Sequence, residues 1–284
     1  MNERDGYPHG VPCWVDTAQP DPEAAVAFYG GLFGWEFADR MPADAPGRYH
    51  VAQLQGRDVA AIGSQPEAAS PVWNTYIWVD SADDTAARAK DAGGRILVEP
   101  FDVLDAGRMT VLADPSGAEF CVWQAKGHRG AQLVNGPGTW VFSDLNTPDP
   151  DGAVAFYAAV FGWVAEPVDF DGHAATMWRV PGYGETLEAL DPGLRRRHDD
   201  DGIPPGFSDA VGWMMPVTDA EPAHWSITFT VEDPDAIAGR AADLGGTIVV
   251  APHDAGVVRM AVLRDPQGAV FAVSRYQPGV ADCS

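Results

Sequence analysis

The chain has 284 residues, 46% of them hydrophobic, and this length and composition suit two globular units with packed cores. Its formal net charge of −23 disfavours contact with a nucleic-acid backbone or an anionic membrane surface, and no basic, aromatic stretch offsets that charge. The segment from Met1 to Asp5 has no signal-peptide character and no apolar run is long enough to span a bilayer, so we expect a cytoplasmic protein.

The first elements in chain order predict a short βαβββ unit. Val11 to Asp16 predicts a strand, and a helix then begins at Asp21-Pro22, with proline at an early helical position where its missing N–H costs nothing. Gly34 ends this helix. An apolar stripe at helical spacing runs along it, formed by Val26, Tyr29, Leu32 and Phe33. Three short strands separated by Pro and Gly turns are predicted around residues 35–37, 49–54 and 59–62.

The same order of elements repeats from Trp73. A strand is predicted over 73–79, and an Ala-rich helix over 83–92 ends at Gly93-Gly94. Strands are predicted over 96–99, 109–113 and 119–124, and Asp114-Pro115-Ser116-Gly117 forms the turn between the last two. Helices would cover one face of each sheet, which leaves the other face to form a concave surface.

A second copy of the whole pattern follows. AVAFYGGLFGW begins at Ala25 and AVAFYAAVFGW begins at Ala153, with eight of eleven positions identical. The copies align at an offset of 128 residues around this helix and of 152 residues at Trp73 and Trp225, because the second copy carries an extra, loop-like segment. We therefore predict two domains, residues 1–130 and 131–284, the second with a long inserted loop over 185–209.

The order of these motifs resembles the vicinal oxygen chelate superfamily. The DxnAxxFYxxxFGW helix, the strand ending in Val-Asp or Val-Glu, the helix ending in Gly-Gly and the DPxG hairpin are similar to that family over residues 10–125 and 137–276. The family includes glyoxalase I, extradiol dioxygenases, fosfomycin-resistance thiol transferases and bleomycin-binding proteins. The chain also resembles tandem glyoxalase-like proteins of actinobacteria. The resemblance implies an α+β fold of two tandem glyoxalase-like domains, each a pair of βαβββ modules forming a cupped mixed sheet.

The resemblance also implies where a metal would bind. Metal enzymes of the family hold a divalent ion by His, Gln or Glu from four inner strands, and the matching positions here carry none of the family's His or Glu ligands. They hold Trp14, one of residues 61–63, Asn74 and Cys121 in the first copy, and Phe142, one of residues 213–215, Ser226 and Ala272 in the second. The three cysteines also lack CxxC spacing. We therefore predict no metal and no cofactor; ligands from His50, His173 or His253 are the alternative.

Period-two alternation predicts which side chains share the inner faces of the strands. The predicted ligand-binding residues of the first copy are Trp14, Asn74, Tyr76, Trp78, Cys121 and Trp123, with the carboxylates of Asp16 and Glu119 beside them. Those of the second copy are Phe142, Ser226, Thr228, Trp178, Trp213 and Met215, with Asp144. Tryptophan offers stacking area for planar ligands, although each Trp also suits a core, and Asp16 and Asp144 also suit structural hydrogen bonds.

Two classes of function are compatible with these residues. The first is a metal-free pocket protein that binds a hydrophobic or planar small molecule, as a resistance or sequestration factor or an accessory of secondary metabolism. The second is a metal-independent isomerase, epimerase or lyase, in which Asp16, Asp144 or Glu119 has a pKa raised by burial and removes a proton next to a carbonyl. Metal-dependent glyoxalase or dioxygenase chemistry lacks its ligand set. We expect a small-molecule partner, no nucleic acid, no membrane, and a monomer or homodimer.

Overall fold

The computed structural model describes residues 2–66, 70–170, 173–200, 204–218 and 220–277. The first half contains β1 (Asn2–Glu3), β2 (Pro12–Gln19), α1 (Pro22–Phe33), β3 (Glu36–Asp39), β4 (Tyr49–Leu54), β5 (Arg57–Ser64), β6 (Trp73–Trp78), α2 (Ala82–Asp91), β7 (Arg95–Val103), β8 (Gly107–Ala113) and β9 (Glu119–Ala125). The second half contains β10 (Leu133–Val134), β11 (Thr139–Thr147), α3 (Pro150–Phe161), β12 (Val164–Phe170), β13 (His173–Arg179), α4 (Tyr183–Leu190), α5 (Leu194–Asp200), β14 (Ala210–Pro216), β15 (His224–Thr230), α6 (Pro234–Asp243), β16 (Thr247–Ala255), β17 (Val258–Arg264) and β18 (Val270–Tyr276).

Each half forms one eight-stranded mixed sheet, which confirms the predicted α+β fold. The strand orders are β3-β4-β5-β2-β6-β9-β8-β7 and β12-β13-β14-β11-β15-β18-β17-β16. Two βαβββ modules meet at the antiparallel pairs β2–β6 and β11–β15, and each of these central strands has a parallel neighbour on its other side. The two copies therefore have the same topology.

The repeated helices α1 and α3 begin and end as their sequence predicts. The Asp21 side chain accepts a hydrogen bond from the Ala24 N–H at 3.0 Å and caps α1, and Pro22 occupies its first position. Gly34 has φ of 73° at the end of the helix, a left-handed conformation that glycine adopts without steric cost. The same devices at Asp149 and Gly162 bound α3.

The two sheets pack back to back through α1 and α3, so one aromatic core serves both halves. Phe33 of α1 lies 5.0 Å from the ring of Phe229 in the second sheet, and Phe120 of the first sheet lies 5.7 Å from Tyr157 of α3. We call the face of each sheet opposite these helices its cup side. Because the helix sides meet in the shared core, the two cup sides point away from each other.

Matching hydrogen bonds cross this core in both directions. The Tyr29 hydroxyl donates to the buried carboxylate of Asp265 at 2.9 Å, and the Tyr157 hydroxyl donates to that of Asp114 at 3.2 Å. These aspartates belong to the DPxG turns. The turn of each half therefore accepts a hydrogen bond from the repeated helix of the other half. The two halves thus hold each other by polar as well as apolar contacts.

The segment 185–209 differs from the predicted loop, since it carries most of α4, the whole of α5 and a 3₁₀ turn at Phe207–Asp209. The Glu188 carboxylate accepts the backbone N–H groups of Gly193 and Arg195 at 2.6 and 3.0 Å, which satisfies donors at the start of α5. Composition alone does not reveal such a local cap.

Among the described residues, no helix combines the length and apolar character that a membrane span requires.

Candidate functional site

The carboxylate of Asp16 is the centre of a hydrogen-bonded network on the cup side of the first sheet, which we call the first cup. Its two oxygens accept from the Asn74 amide at 2.9 Å and from the hydroxyls of Tyr76 and Tyr49 at 2.8 and 2.9 Å. The Trp14 indole N–H in turn donates to the Tyr49 hydroxyl at 3.0 Å. Burial raises the pKa of Asp16, and these three hydrogen bonds oppose the rise.

The first cup is filled by its own side chains. Asp16 is 6% exposed, Trp14 is 2% exposed, and Tyr76, Cys121 and Trp123 are also buried. These residues lie on one face of the sheet, as strand periodicity predicts. Periodicity did not indicate Tyr49, which lies on β4 and is separated from β2 by β5. Their burial favours a structural function for this network over a ligand wall.

A histidine from the segment between the two domains completes this closure. The ring of His128 lies 4.4 Å from that of Trp14 and 5.7 Å from that of Trp123. The His128 carbonyl also accepts the Trp123 indole N–H at 2.9 Å. Burial lowers the pKa of His128 and favours its neutral form, which suits a place among aromatic rings.

Asp144 occupies the equivalent position in the second sheet and has a different environment. Its Oδ1 accepts the Trp213 backbone N–H at 3.2 Å, and its carboxylate also accepts a hydrogen bond from the Thr228 side chain. Desolvation, opposed by these two hydrogen bonds, raises the pKa of Asp144 to about 7. The residue nevertheless keeps part of its surface in contact with solvent. An accessible carboxyl that titrates near neutral pH can both accept hydrogen bonds and exchange protons.

Polar side chains surround Asp144 on the cup side of the second sheet, which we call the second cup. Ser226 pairs with Asp144 across the strands, and the Asn146 amide donates to the Ser226 hydroxyl at 3.0 Å. Thr230 and Ser274 continue this row where β15 pairs with β18, and all these polar residues are partly exposed. The row forms a neutral hydrogen-bonding surface beside the carboxylate.

Three aromatic rings form a wall of the second cup. The rings of Phe142 and Trp213 lie 6.2 Å apart, and Phe207 lies 6.1 Å from Phe142 and 6.2 Å from Trp213. All three are partly exposed. Sequence reasoning predicted Phe142 and Trp213 but missed Phe207, because it belongs to the segment that has no counterpart in the first copy. Its ring contact with His198 of α5 shows that this segment adds to the wall.

Substitutions between the copies explain why the second cup is open. Tyr76 and Cys121 pair in the first sheet where Thr228 and Ala272 pair in the second. Likewise, the indole pair Trp78 and Trp123 corresponds to the small hydroxyl pair Thr230 and Ser274. The smaller side chains leave space above the second sheet that aromatic rings occupy in the first.

Four predicted site residues lie outside these clusters or at their edges. Trp178 was predicted as a wall residue, but it is fully buried on the helix side, with its ring 5.6 Å from Tyr157. The reason is parity, since Trp178 pairs with Gly212 while its neighbour Met177 pairs with Trp213. Glu119 lies exposed at the start of β9, and Trp78 is half-buried with the Arg129 guanidinium 5.9 Å from its ring centre. Met215 is on the cup side as predicted and is 38% exposed, at the outer end of β14.

The donor set does not fit the family's divalent metal. Within the described parts of the chain, no group of three or more His, Cys, Asp or Glu residues is arranged to hold an ion. His50 pairs with Glu23 at 3.0 Å, and the Nδ1 of His253 lies 3.0 Å from the Ala251 carbonyl. The side chain of His173 is outside the described residues.

Two further cavities in the described parts of the chain lack a comparable set of groups, although Thr230 of the second cup also lines the first of them. One of about 460 Å³ lies at the ends of β15 and β18, and one of about 280 Å³ lies between α1, Pro137 and α6. Both are open to solvent, and neither brings a wall of aromatic rings together with a carboxyl of raised pKa. We therefore place the candidate site in the second cup.

Comparisons with known proteins agree with this architecture. Residues 14–122 match the sequence model of the Glyoxalase/Bleomycin resistance protein/Dioxygenase superfamily, and residues 140–274 match that of a glyoxalase-like domain. CFP32 of Mycobacterium tuberculosis, whose name marks it as a proposed glyoxylase, is 39% identical over 98% of this chain and 99% of its own length. The chain belongs to this superfamily. A second superfamily relative, the anthracycline biosynthesis protein DnrV of Streptomyces peucetius, is 32% identical over 95% of this chain and 94% of its own.

Solved structures of the superfamily share the fold at low sequence identity. The Mn(II)-bound glyoxalase from Novosphingobium aromaticivorans has a TM-score of 0.60 at 17% identity, over 94% of this chain and 82% of that one. The 2,3-dioxygenase LapB from Pseudomonas sp. KL28 has a TM-score of 0.58 at 13% identity, over 97% and 96% of the two chains. At these identities the similarity describes the tandem fold and not the reaction.

Proposed function

We propose that the protein binds a planar, partly hydrophobic small molecule in the second cup, as an accessory or sequestering protein of secondary metabolism. The observation that carries this proposal is the partly exposed aromatic wall of Phe142, Phe207 and Trp213 beside a polar row. Aromatic side chains receive flat ligands by stacking, and a few polar groups orient them. In the first cup, the corresponding rings are mostly buried against one another.

The relationship to DnrV supports the same class of ligand. That relative is named as an anthracycline biosynthesis protein, and it matches this chain over 95% of the sequence. Anthracyclines are planar polycyclic compounds, a shape that the aromatic wall suits. The described residues include no cluster of His, Cys, Asp or Glu suited to an ion, and this favours binding over the metal chemistry of other superfamily members.

Titration with a panel of planar polycyclic compounds, followed by quenching of tryptophan fluorescence, tests this proposal. We expect Trp213→Ala to weaken binding about 10-fold, because stacking on an aromatic ring contributes on the order of 1 kcal/mol beyond the area it buries. Trp78→Ala is the matched control, since it removes a half-buried indole from the first copy. Equal affinities of the natural protein and Trp213→Ala would remove the second cup as the site. Recovery of the ligand unchanged, checked by mass spectrometry, separates binding from turnover.

Asp144 favours a second candidate, metal-independent proton transfer. An accessible carboxyl with a pKa of about 7 can serve as a general base near neutral pH, taking a proton from a carbon next to a carbonyl and returning it at another position. A carbonyl-containing ligand is incubated with the protein in D₂O, and NMR measures how fast the proton next to its carbonyl is replaced by deuterium. We expect Asp144→Asn to abolish exchange, whereas the equivalent Asp16→Asn in the filled first cup leaves it unchanged. Exchange that persists in Asp144→Asn would exclude this carboxylate as the base.

A further inference from the structure

We infer that the second cup selects planar aromatic ligands with a phenolic hydroxyl at one edge, and that this hydroxyl donates a hydrogen bond to the carboxylate of Asp144. This inference rests on the proposed function, because it needs the ligand to lie against the aromatic wall. It adds the chemical class of the ligand and the residue that distinguishes it.

The first argument is the unused hydrogen-bonding capacity of Asp144. An ionised carboxylate offers about four lone-pair sites. Asp16 accepts three side-chain donors and is enclosed by the tyrosines that supply two of them. Asp144 accepts the Trp213 N–H and one bond from Thr228, and it is partly exposed on the cup side. Protein donors therefore use most of the hydrogen-bonding capacity of Asp16. The equivalent Asp144 keeps capacity for a donor from a ligand.

The second argument is the position of the carboxylate relative to the wall. Trp213 supplies both a ring of the wall and the backbone N–H that holds the Oδ1 of Asp144 at 3.2 Å. Asp144 and Trp213 are also register partners on the neighbouring strands β11 and β14, so their side chains share the cup face and a flat ligand stacked on the Trp213 ring would direct an edge towards this carboxylate. In the first copy, the tyrosine hydroxyls of Tyr49 and Tyr76 donate to Asp16 at 2.9 and 2.8 Å. A phenolic ligand would make in the second cup the contact that those phenols make in the first.

The third argument is the neutral character of the surroundings. Ser226, Thr228, Thr230 and Ser274 are hydroxyl residues, and the two hydrogen bonds that lower the pKa of Asp144 come from uncharged groups. Desolvation dominates at this carboxyl, so pairing it with a charged ammonium would add the cost of removing a second charge from water. A neutral hydroxyl donor avoids that cost.

Three small probes of equal ring size test the inference at pH 8, with calorimetry as the readout. The probes are 2-naphthol, 2-methoxynaphthalene, which lacks the donor, and 2-naphthylmethylamine, which carries an ammonium. We expect 2-naphthol to bind about 10- to 100-fold more tightly than the methoxy analogue, the range for a hydrogen bond to a charged acceptor. Asp144→Asn should reduce this advantage by at least 5-fold, whereas the control Asp16→Asn should leave it unchanged.

The outcomes separate the inference from the proposed function. Equal binding of 2-naphthol and 2-methoxynaphthalene, weakened alike by Trp213→Ala, would leave the cup as the site and overturn the inference. Tighter binding of the ammonium probe than of 2-naphthol would overturn it as well, in favour of cationic ligands. If none of the three probes binds, both the proposed function and the inference fail. The comparison of probes on the natural protein needs no variant, so it decides the question even if Asp144→Asn does not fold.

Discussion

The raised pKa of Asp144 predicts that this single carboxyl makes the protein less stable as the pH rises. Its pKa is about 7 in the folded protein, compared with about 3.9 for an unfolded chain. Between these values the folded state holds a proton that the unfolded state has lost, so the contribution of Asp144 to the free energy of unfolding falls as the pH rises. The contribution is fully present below about pH 4 and is lost once the pH passes about 7.

The size of the effect follows from these two pKa values. Between pH 5 and pH 8.5, linkage gives a loss of about 2.7 kcal/mol from this group. Because Asp144 keeps partial access to solvent, we expect about 2 kcal/mol. Asp144→Asn has no proton to lose, so its stability relative to the natural protein should rise by that amount over the same range.

Urea denaturation at pH 5 and pH 8.5 measures this difference. Glu119→Gln is the control, because it removes an exposed carboxylate outside the second cup and should leave the pH dependence of the natural protein in place. Other carboxyls of raised pKa, such as Asp16 and Asp114, are shared by the proteins compared and cancel in the difference. A stability difference between Asp144→Asn and the natural protein that is the same at both pH values would refute the reasoning about this site.

Three further changes test the remaining features. Tyr157→Phe should lower the free energy of unfolding, measured in urea, by about 1 to 3 kcal/mol, because it removes a donor from the buried carboxylate of Asp114. An unchanged urea midpoint and slope would show that this hydrogen bond between the two halves does not stabilise the protein. His128→Ala should increase quenching of tryptophan fluorescence by acrylamide, since Trp14 and Trp123 lose the ring that covers them, and the prediction fails if quenching stays the same. Phe207→Ala should weaken ligand binding about 3- to 10-fold in calorimetry without changing the thermal unfolding midpoint by more than a few degrees, and a ligand unaffected by it does not use the wall.

Much of the architecture follows from local signals in the sequence. The duplicated AVAFY helix, its Asp and Pro at the start and its Gly at the end specify α1 and α3, because capping depends on residues within one turn of the chain. Alternation likewise placed Asp16, Asn74, Tyr76 and their counterparts in the second copy on one face, since side chains on a strand point to opposite faces in turn. The same alternation predicts that the strand positions matching the family's metal ligands carry no His or Glu, and this stays a prediction.

The sequence shows smaller side chains in the second copy, but only the tertiary structure showed that the first cup is filled by its own side chains. Asp16 and Asp144 are the same residue at the same position of a repeat. Tyr49 from β4 and His128 from the segment after β9 nevertheless fill the first cup, while Phe207 extends the wall of the second. The prediction that Trp178 lines the cup was wrong for a related reason. Which face of the sheet its side chain occupies depends on the register between β13 and β14, which the sequence does not show. The sequence by itself therefore determined the repeated fold and the types of side chain on each strand. Which carboxyl stays accessible was decided by contacts between distant segments, and burial, which depends on all of them together, sets both its pKa and its availability to a ligand.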